Sequence, residues 1–277
     1  MREFSRAVAI LGLSSVLVLG AGCAPKAPQP TGEGLKVLIS VDMEGLAGVV
    51  TSSELTSSGP DYGIFRKIMT GEANAAIQAA LDAGATEIVV RDGHGSARNI
   101  LPDLLHEKAQ LVRGWSGSPL GMVEGVDETF DALLLVGYHA KAGTPNGIIA
   151  HTMSGNVVDL TINGVSLPEA GVNALIAGLF DVPLIFLAGD RAMVDQAHEL
   201  FGDIETVSVK DGIGRAEMGM HPNVAQKEIY DGVIRALQRL GDFQPYQFQA
   251  PYTMNLKVRR EPEEMYPRAE RVAEGQY

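Results

Sequence analysis

Short apolar runs alternate with longer amphipathic segments between Leu35 and Val258. Short continuous apolar runs suit buried strands, whereas apolar positions at helical spacing suit helices packed on a core. Strands are predicted at residues 35–41, 87–91, 131–136 and 183–188, and helices at residues 71–83, 168–180, 191–201 and 223–240. Strands that alternate with helices indicate an α/β fold with a largely parallel central sheet flanked by helices.

Turn residues mark the ends of several of these elements. Gly84 follows the first predicted helix, and Pro168 stands where another helix would begin. Asn163-Gly164 separates two strand-like runs, at residues 157–162 and at Val165, which is a strong signal for a hairpin. A last strand is predicted at residues 252–258, and the fold is therefore expected to include a smaller C-terminal α/β portion.

The N-terminal segment has the features of an export signal. Arg2 and Arg6 flank the start of an apolar run at residues 7–19, which is short for a membrane span. The run leads to Cys23, the single cysteine of the chain, and a proline-rich stretch follows at residues 24–30. Small residues before a lone cysteine resemble a bacterial lipobox, although Gly20 stands where a large apolar residue is usual. A cleaved signal that merely contains a cysteine is the alternative.

Three parts of the chain are therefore expected. Residues 1–22 are a signal peptide, residues 23–34 a lipidated cysteine with a stiff tether, and residues 35–277 one catalytic domain. This arrangement predicts an exported lipoprotein in the cell envelope, held to a membrane through its lipid anchor alone. The formal net charge of −12 argues against nucleic acid as a partner, since phosphate binding requires clustered Lys and Arg.

Polar side chains follow three predicted strands. Asp42 and Glu44 come after the first strand, Asp92 and His94 after the second, and His139 after the third. The carboxyl ends of parallel strands line the ligand crevice of an open α/β sheet, so these side chains would converge there. Imidazoles and carboxylates are the ligands preferred by Zn²⁺ and other first-row divalent metals.

Each of these residues also has a structural alternative. An aspartate after a strand, such as Asp42, is often a helix cap, and His94 in Asp-Gly-His-Gly could be a turn residue. His139 could be a buried histidine bonded to backbone, and Glu169 is favoured by the dipole at a helix start. The residues alone leave both a metal hydrolase and these structural roles open.

A series of motifs in a fixed order resembles the zinc-dependent D-aminopeptidase family. The match extends from about Lys36 to the C-terminal strand. Its segments are SVDMEG at 40–45, IMT and EAN within 68–74, DGH at 92–94, MVEG at 122–125, GYHA at 137–140, HTM at 151–153, Glu169 with Gly171 and Asn173, and AGD at 188–190.

The resemblance implies a specific site and reaction. It implies two zinc ions per subunit, a bridging carboxylate and a catalytic His151, with metal ligands at Asp42, Glu44, His94, His139 and Glu169. His151 would shuttle a proton to the leaving amine or donate to the oxyanion. The implied reaction releases an N-terminal D-residue from short peptides such as D-Ala-D-Ala. The implied assembly is a ring-shaped homo-oligomer that admits small substrates.

Two other functions stay open at this point. One is a different zinc-dependent peptidase or amidase on the same scaffold, and the other is a lipoprotein that binds D-peptides without turnover.

The sequence also departs from some relatives, which have serine at Gly93, Ala150 and Thr152. Relatives continue beyond Tyr277 with a strand and a helix, so the C-terminus is expected to be short.

The remaining polar residues carry weaker expectations. Asp92 could orient a ligand imidazole or cap a turn, and the pair Lys210 and Arg215 is expected to form a solvated face rather than to contact a substrate carboxylate. Trp115 is expected to pack in the core or an interface. Surface or structural roles are expected for the other histidines, which are His106, His198 and His221.

Overall fold

The computed structural model describes residues 34–260. The expected signal peptide, the lipid anchor at Cys23 and any shortening of the C-terminus therefore lie outside the described residues. Within residues 34–260, no helix combines the length and the apolar character needed to cross a bilayer.

A seven-stranded sheet forms the centre of the molecule, in the order β3-β2-β1-β4-β7-β8-β9. Every neighbouring pair is parallel except β8 and β9. The strands are β1 (Leu35–Val41), β2 (Ala85–Asp92), β3 (Ala109–Val112), β4 (Ala132–Tyr138), β7 (Leu184–Asp190), β8 (Glu205–Ile213) and β9 (Ala216–Gly219). The predicted α/β fold with a largely parallel sheet is confirmed.

Four helices flank this sheet: α1 (Tyr62–Asp82), α2 (Glu169–Gly178), α3 (Arg191–Phe201) and α4 (Pro222–Gln238). The chain crosses from β1 to β2 in one direction and from β7 to β8 in the other. Because such crossovers are right-handed, α1 and α3 lie on opposite faces of the sheet. The fully buried strands β4 and β7 lie between these helical layers and read as continuous apolar runs for that reason.

A smaller antiparallel sheet, in the order β10-β5-β6, has its own apolar cluster. It consists of β5 (Val157–Ile162), β6 (Val165–Ser166) and β10 (Met254–Val258). The predicted hairpin is confirmed, and both turn residues have positive φ, 51° at Asn163 and 82° at Gly164. A type I′ turn needs this conformation at both central positions.

Some element boundaries differ from those predicted. Helix α1 begins at Tyr62, well before residue 71, and buries Phe65 and Met69 in its first turns. The glycine at position 63 and the exposed Ile64 obscure this amphipathic start in the sequence. Strand β3 was not predicted, because it is four residues long and only partly buried.

Candidate metal centre

The strand register brings the candidate ligands together at one edge of the sheet. Val41, the last residue of β1, lies opposite Asp92 of β2 on one side and Val136 of β4 on the other. The chain leaves β1 towards one side of the sheet and β4 towards the other, so this edge is a topological switch point. Such a point opens a crevice at the carboxyl ends of the strands.

Two groups of side chains meet in that crevice and share Asp42. In the first, Nδ1 of His94 lies 3.1 Å from Oδ1 of Asp42 and 3.0 Å from Oε2 of Glu44. In the second, Nε2 of His139 lies 3.5 Å from Oδ2 of Asp42 and 3.6 Å from Oε1 of Glu169. Each carboxylate oxygen of Asp42 therefore faces a different imidazole. The donor atoms of each group are close enough together to hold one metal ion.

Helix α2 supplies Glu169 as its first residue, where the helix dipole favours a carboxylate. Oε1 of Glu169 accepts a hydrogen bond from the backbone N–H of Met153 at 2.6 Å. This bond links α2 to the segment that carries His151. The structure thus brings all five predicted ligand positions, and His151 beside them, into one cluster.

Burial and mutual charge shift the pKa values of these groups. Burial, together with the neighbouring charge of Glu44, raises the pKa of Asp42 to about 7. Burial also works against ionisation of Glu44, but hydrogen bonding to His94 and the charge of that ring hold its pKa below its usual value. Without a metal ion, Glu44 is therefore ionised over a wider pH range than Asp42.

The pKa values of His94 and His139 are both raised. Burial alone would lower the pKa of His94, yet hydrogen bonds to Asp42 and Glu44 raise it to about 11. Burial is likewise outweighed at His139, where mainly the charge of Glu169 raises the pKa to about 10. The cluster strongly attracts positive charge, and a metal ion would replace these protons.

Hydrogen bonds on the outer side of each ring fit a metal site. The Nδ1–H of His139 can donate to the carbonyl of Ala140 at 3.0 Å, and the Nε2–H of His94 to that of Leu55 at 3.2 Å. The other nitrogen of each ring faces the carboxylates, where it carries a proton in the metal-free cluster and can bind a metal once that proton is replaced. Nε2 of His139 is buried and has no hydrogen-bond partner within residues 34–260. Ring nitrogens that face carboxylates require a cation between them, so the donor set fits zinc.

His151 lies beside the two groups and is more accessible, with 24% of its side chain exposed. Its ring stacks on His139, with the centroids 4.3 Å apart, and its Nδ1 lies 2.9 Å from the carbonyl of Ile149. Nε2 of His151 is 3.6 Å from Glu169 and 4.0 Å from Glu44. The geometry suits a proton carrier, and it also places this nitrogen within reach of a metal held by Glu44 and His139.

A cavity of about 340 Å³ opens above the cluster. Carboxylates and imidazoles line one side of it. Apolar side chains line the rest, and these are Trp115, Pro119, Met122, Met153, Val172 and Ile176. The cavity therefore places apolar surface for a side chain next to the carboxylate–imidazole cluster.

Trp115 lines this cavity and does not lie in the core, which was one of the two places predicted for it. It is 48% exposed, its indole N–H donates to the carbonyl of Gly95 at 2.8 Å, and the guanidinium of Arg91 lies 4.4 Å from its ring. Arg91 is itself buried and donates to the carbonyls of Gly114 and Gly121. The contact between Arg91 and Trp115 could not be predicted from the sequence, because Arg91 lies inside a strand and no motif marks it.

The glycine after Glu44 allows the first loop to approach β4. A Cβ atom at Gly45 would lie 1.9 Å from the carbonyl oxygen of Tyr138, a distance that no side chain can occupy. The N–H of Gly45 donates to the carbonyl of Gly137 at 2.8 Å. Only glycine therefore fits at this position of the loop that carries Asp42 and Glu44.

The structure decides between the alternative roles that were predicted for the other polar residues. Asp92 accepts hydrogen bonds from the backbone N–H groups of Asn99 and Ile100, so it caps the loop that carries His94 and does not orient an imidazole. Arg215 is exposed as expected. The prediction for Lys210 is wrong, because its side chain is buried and its ammonium donates to backbone carbonyls.

The other three histidines lie away from the cluster. His198 and His221 are exposed, and His221 caps the start of α4. His106 is partly buried, and its ring accepts a hydrogen bond from the N–H of Lys108. Their predicted surface and structural roles are confirmed.

Comparisons with known proteins point to one family. The family model described as D-aminopeptidase matches residues 35–274. A D-aminopeptidase of Bacillus subtilis (strain 168) is 37% identical over 212 residues, which cover 76% of this chain and 77% of the relative. A solved structure, the Zn-dependent D-aminopeptidase DppA from Bacillus subtilis, described as a self-compartmentalizing protease, superposes with a TM-score of 0.79. It is 35% identical, with 82% of each chain covered.

Proposed function

Since this chain belongs to the D-aminopeptidase family, we propose that it is a two-zinc aminopeptidase that releases N-terminal D-residues from short peptides such as D-Ala-D-Ala. The observation that carries the proposal is the pair of carboxylate–imidazole groups that share Asp42. A carboxylate with one oxygen directed at each group could contribute a ligand to both metal ions.

The proposed ligands divide between the two groups. Asp42, Glu44 and His94 would hold one zinc ion, and Asp42, His139 and Glu169 would hold the other. A bound zinc pair supplies a water of near-neutral pKa and polarises the scissile carbonyl.

The chain's own residues would bind and orient the peptide. The apolar side chains of the cavity would receive a side chain of the peptide. Nε2 of His151 faces the cluster while its Nδ1 is bonded to the carbonyl of Ile149. This nitrogen can take up a proton and deliver it to the leaving amine.

Stereospecificity is tested by comparing D-Ala-D-Ala with L-Ala-L-Ala on purified, zinc-loaded protein. The proposal expects hydrolysis of the D-dipeptide at a higher kcat/KM. Faster hydrolysis of the L-dipeptide would identify another peptidase on this scaffold. Binding of the D-dipeptide without turnover would identify a peptide-binding lipoprotein.

Trp115→Ala is expected to raise KM about tenfold for dipeptides that carry D-Leu or D-Phe, because the substitution removes apolar contact area. D-Ala-D-Ala, whose methyl groups bury little surface, should be affected much less. Trp115→Phe, which keeps an aromatic ring but not the N–H bonded to Gly95, is the matched control. An equal loss for all three substrates would contradict a role in side-chain binding.

We also propose a homo-oligomer that encloses the cavities. The similar Bacillus subtilis protein is described as self-compartmentalizing. Several large apolar side chains of the present chain are exposed on the β8–β9 hairpin and at the starts of α1 and α4; they are Ile64, Ile213, Met218 and Val224. Contiguous apolar surface commonly marks a protein contact, and these side chains are the candidates for one. Light scattering of the purified protein would give a monomer mass if this proposal is wrong.

The lipid anchor is a proposal that rests on sequence alone, through Cys23 and the proline-rich stretch after it. Cys23→Ser is expected to move the protein from the detergent phase to the aqueous phase in a detergent partition experiment. Ser14→Ala, inside the apolar run, serves as the control. Equal partition of the Cys23→Ser and unmodified proteins would show that no lipid is attached to Cys23.

A further inference from the structure

A buried lysine lies beneath the loop that carries Asp42 and Glu44. Lys210, on β8, is 2% exposed. Its ammonium donates to the backbone carbonyls of Glu44 and Val49, both at 2.6 Å. Burial lowers the pKa of Lys210. Burying an ammonium costs free energy, so a buried lysine that only filled volume would destabilise the fold.

The peptide unit between Glu44 and Gly45 is bound at both of its polar atoms. Its carbonyl oxygen accepts from Lys210, and its N–H donates to the carbonyl of Gly137 on β4. A peptide plane held at both atoms cannot rotate. Because the plane adjoins the Cα of Glu44, its orientation fixes the direction in which the Glu44 side chain leaves the backbone.

Two carboxylates, one buried and one half-buried, complete this support. Oε1 of Glu72, on α1, accepts from the N–H of Ala47 at 3.1 Å, in the middle of the same loop. Oε2 of Glu217, on β9, lies 3.8 Å from the ammonium of Lys210. The loop is thus fixed from α1 and β8, and the charge of Lys210 is balanced from the neighbouring strand β9.

We propose that Lys210 is a positioning residue for the metal centre, acting through the Glu44–Gly45 peptide to hold the Glu44 carboxylate towards His94. The inference rests on the proposed function, since it requires a metal at Glu44. Lys210 does not line the cavity above the cluster. Its effect would therefore appear first in metal affinity.

The test compares zinc affinity and thermal stability in Lys210→Met, which keeps the length of the side chain and removes the ammonium. We expect zinc affinity, measured by competition with a chelator, to fall about 10- to 100-fold, as for other residues that orient metal ligands. The gain in Tm on zinc loading should shrink accordingly. Cobalt(II) absorption should also change, since it reports the ligand geometry.

Val233 is buried on the core-facing side of α4, and Val233→Ala is the control for a general loss of stability. It should lower Tm equally in the zinc-free and zinc-loaded protein and leave zinc affinity unchanged. Wild-type zinc affinity and cobalt absorption in Lys210→Met would overturn the inference. Should Lys210→Met fail to fold, Lys210→Gln retains N–H donors at a shorter reach, and the same direction of effect is expected from it.

The unmodified protein separates this inference from the proposed function. If it binds zinc and cleaves D-Ala-D-Ala while Lys210→Met behaves identically, the inference alone is wrong. If the unmodified protein binds no zinc, the proposed function fails and the inference fails with it.

Discussion

Asp42→Asn is expected to lower kcat/KM for D-Ala-D-Ala by about a thousandfold or more, because both proposed zinc sites depend on this carboxylate. Its two oxygens face His94 and His139 respectively. An amide nitrogen at either position cannot bind a cation, so one site must lose a ligand whichever way the amide turns. Losing several kcal/mol of metal assistance corresponds to a rate effect of this size.

The measurement is steady-state hydrolysis together with zinc content by elemental analysis. We expect less than two zinc ions per chain in Asp42→Asn at zinc concentrations that saturate the unmodified protein. Asp195→Asn, on the exposed side of α3, makes the same chemical change away from the site and should retain full activity. Near-normal activity of Asp42→Asn would exclude Asp42 as a bridging ligand.

His151→Ala is expected to lower kcat about 100- to 10,000-fold while zinc content stays at the level of the unmodified protein. The reason is that His151 is the more accessible imidazole of the cluster, with its Nε2 facing Glu169 and Glu44. Removal of a proton carrier slows the chemical step and leaves the metal ligands in place. KM should change much less than kcat.

Zinc content distinguishes the two roles that the geometry allows for His151. Loss of zinc together with loss of activity would show that His151 is a metal ligand, as its distance from Glu44 and His139 permits. His198→Ala, on the exposed surface of α3, is the matched control and should change neither quantity. Unchanged kcat in His151→Ala would contradict any catalytic role.

The fold could be predicted from the sequence because its central strands are buried on both faces. Continuous apolar runs such as those of β4 and β7 are hard to confuse with loops, and strand β1 and helix α3 were predicted with the observed boundaries. Predicting the site's location required one further principle. Polar residues that directly follow parallel strands must meet at the carboxyl edge, and Asp42, His94 and His139 do so.

Residues whose role depends on tertiary contacts could not be predicted in this way. Lys210 reads as an ordinary charged residue near the end of a strand, and nothing local indicates that its ammonium ends beneath Glu44. Trp115 lies in an irregular segment, and its position depends on Arg91, which belongs to a different strand. Contacts between distant segments determine these roles, and local periodicity does not report them.

The ordered series of motifs indicated one candidate ligand, Glu169, that hydrophobic periodicity did not indicate. Glu169 begins a helix and follows no strand of the central sheet, so strand-end reasoning alone would have left it as a helix-start residue. The structure places its carboxylate 3.6 Å from Nε2 of His139. Its ligand role, like that of the other four residues, remains a proposal that metal analysis can test.

The most direct test of the two-zinc site is a titration of metal-free protein with zinc, in which D-Ala-D-Ala hydrolysis is measured at each step. Activity is predicted to rise with added zinc and to reach its maximum at two zinc ions per chain, and chelator should abolish it. Full activity in the metal-free protein, or a maximum at one zinc ion per chain, would contradict the proposed site.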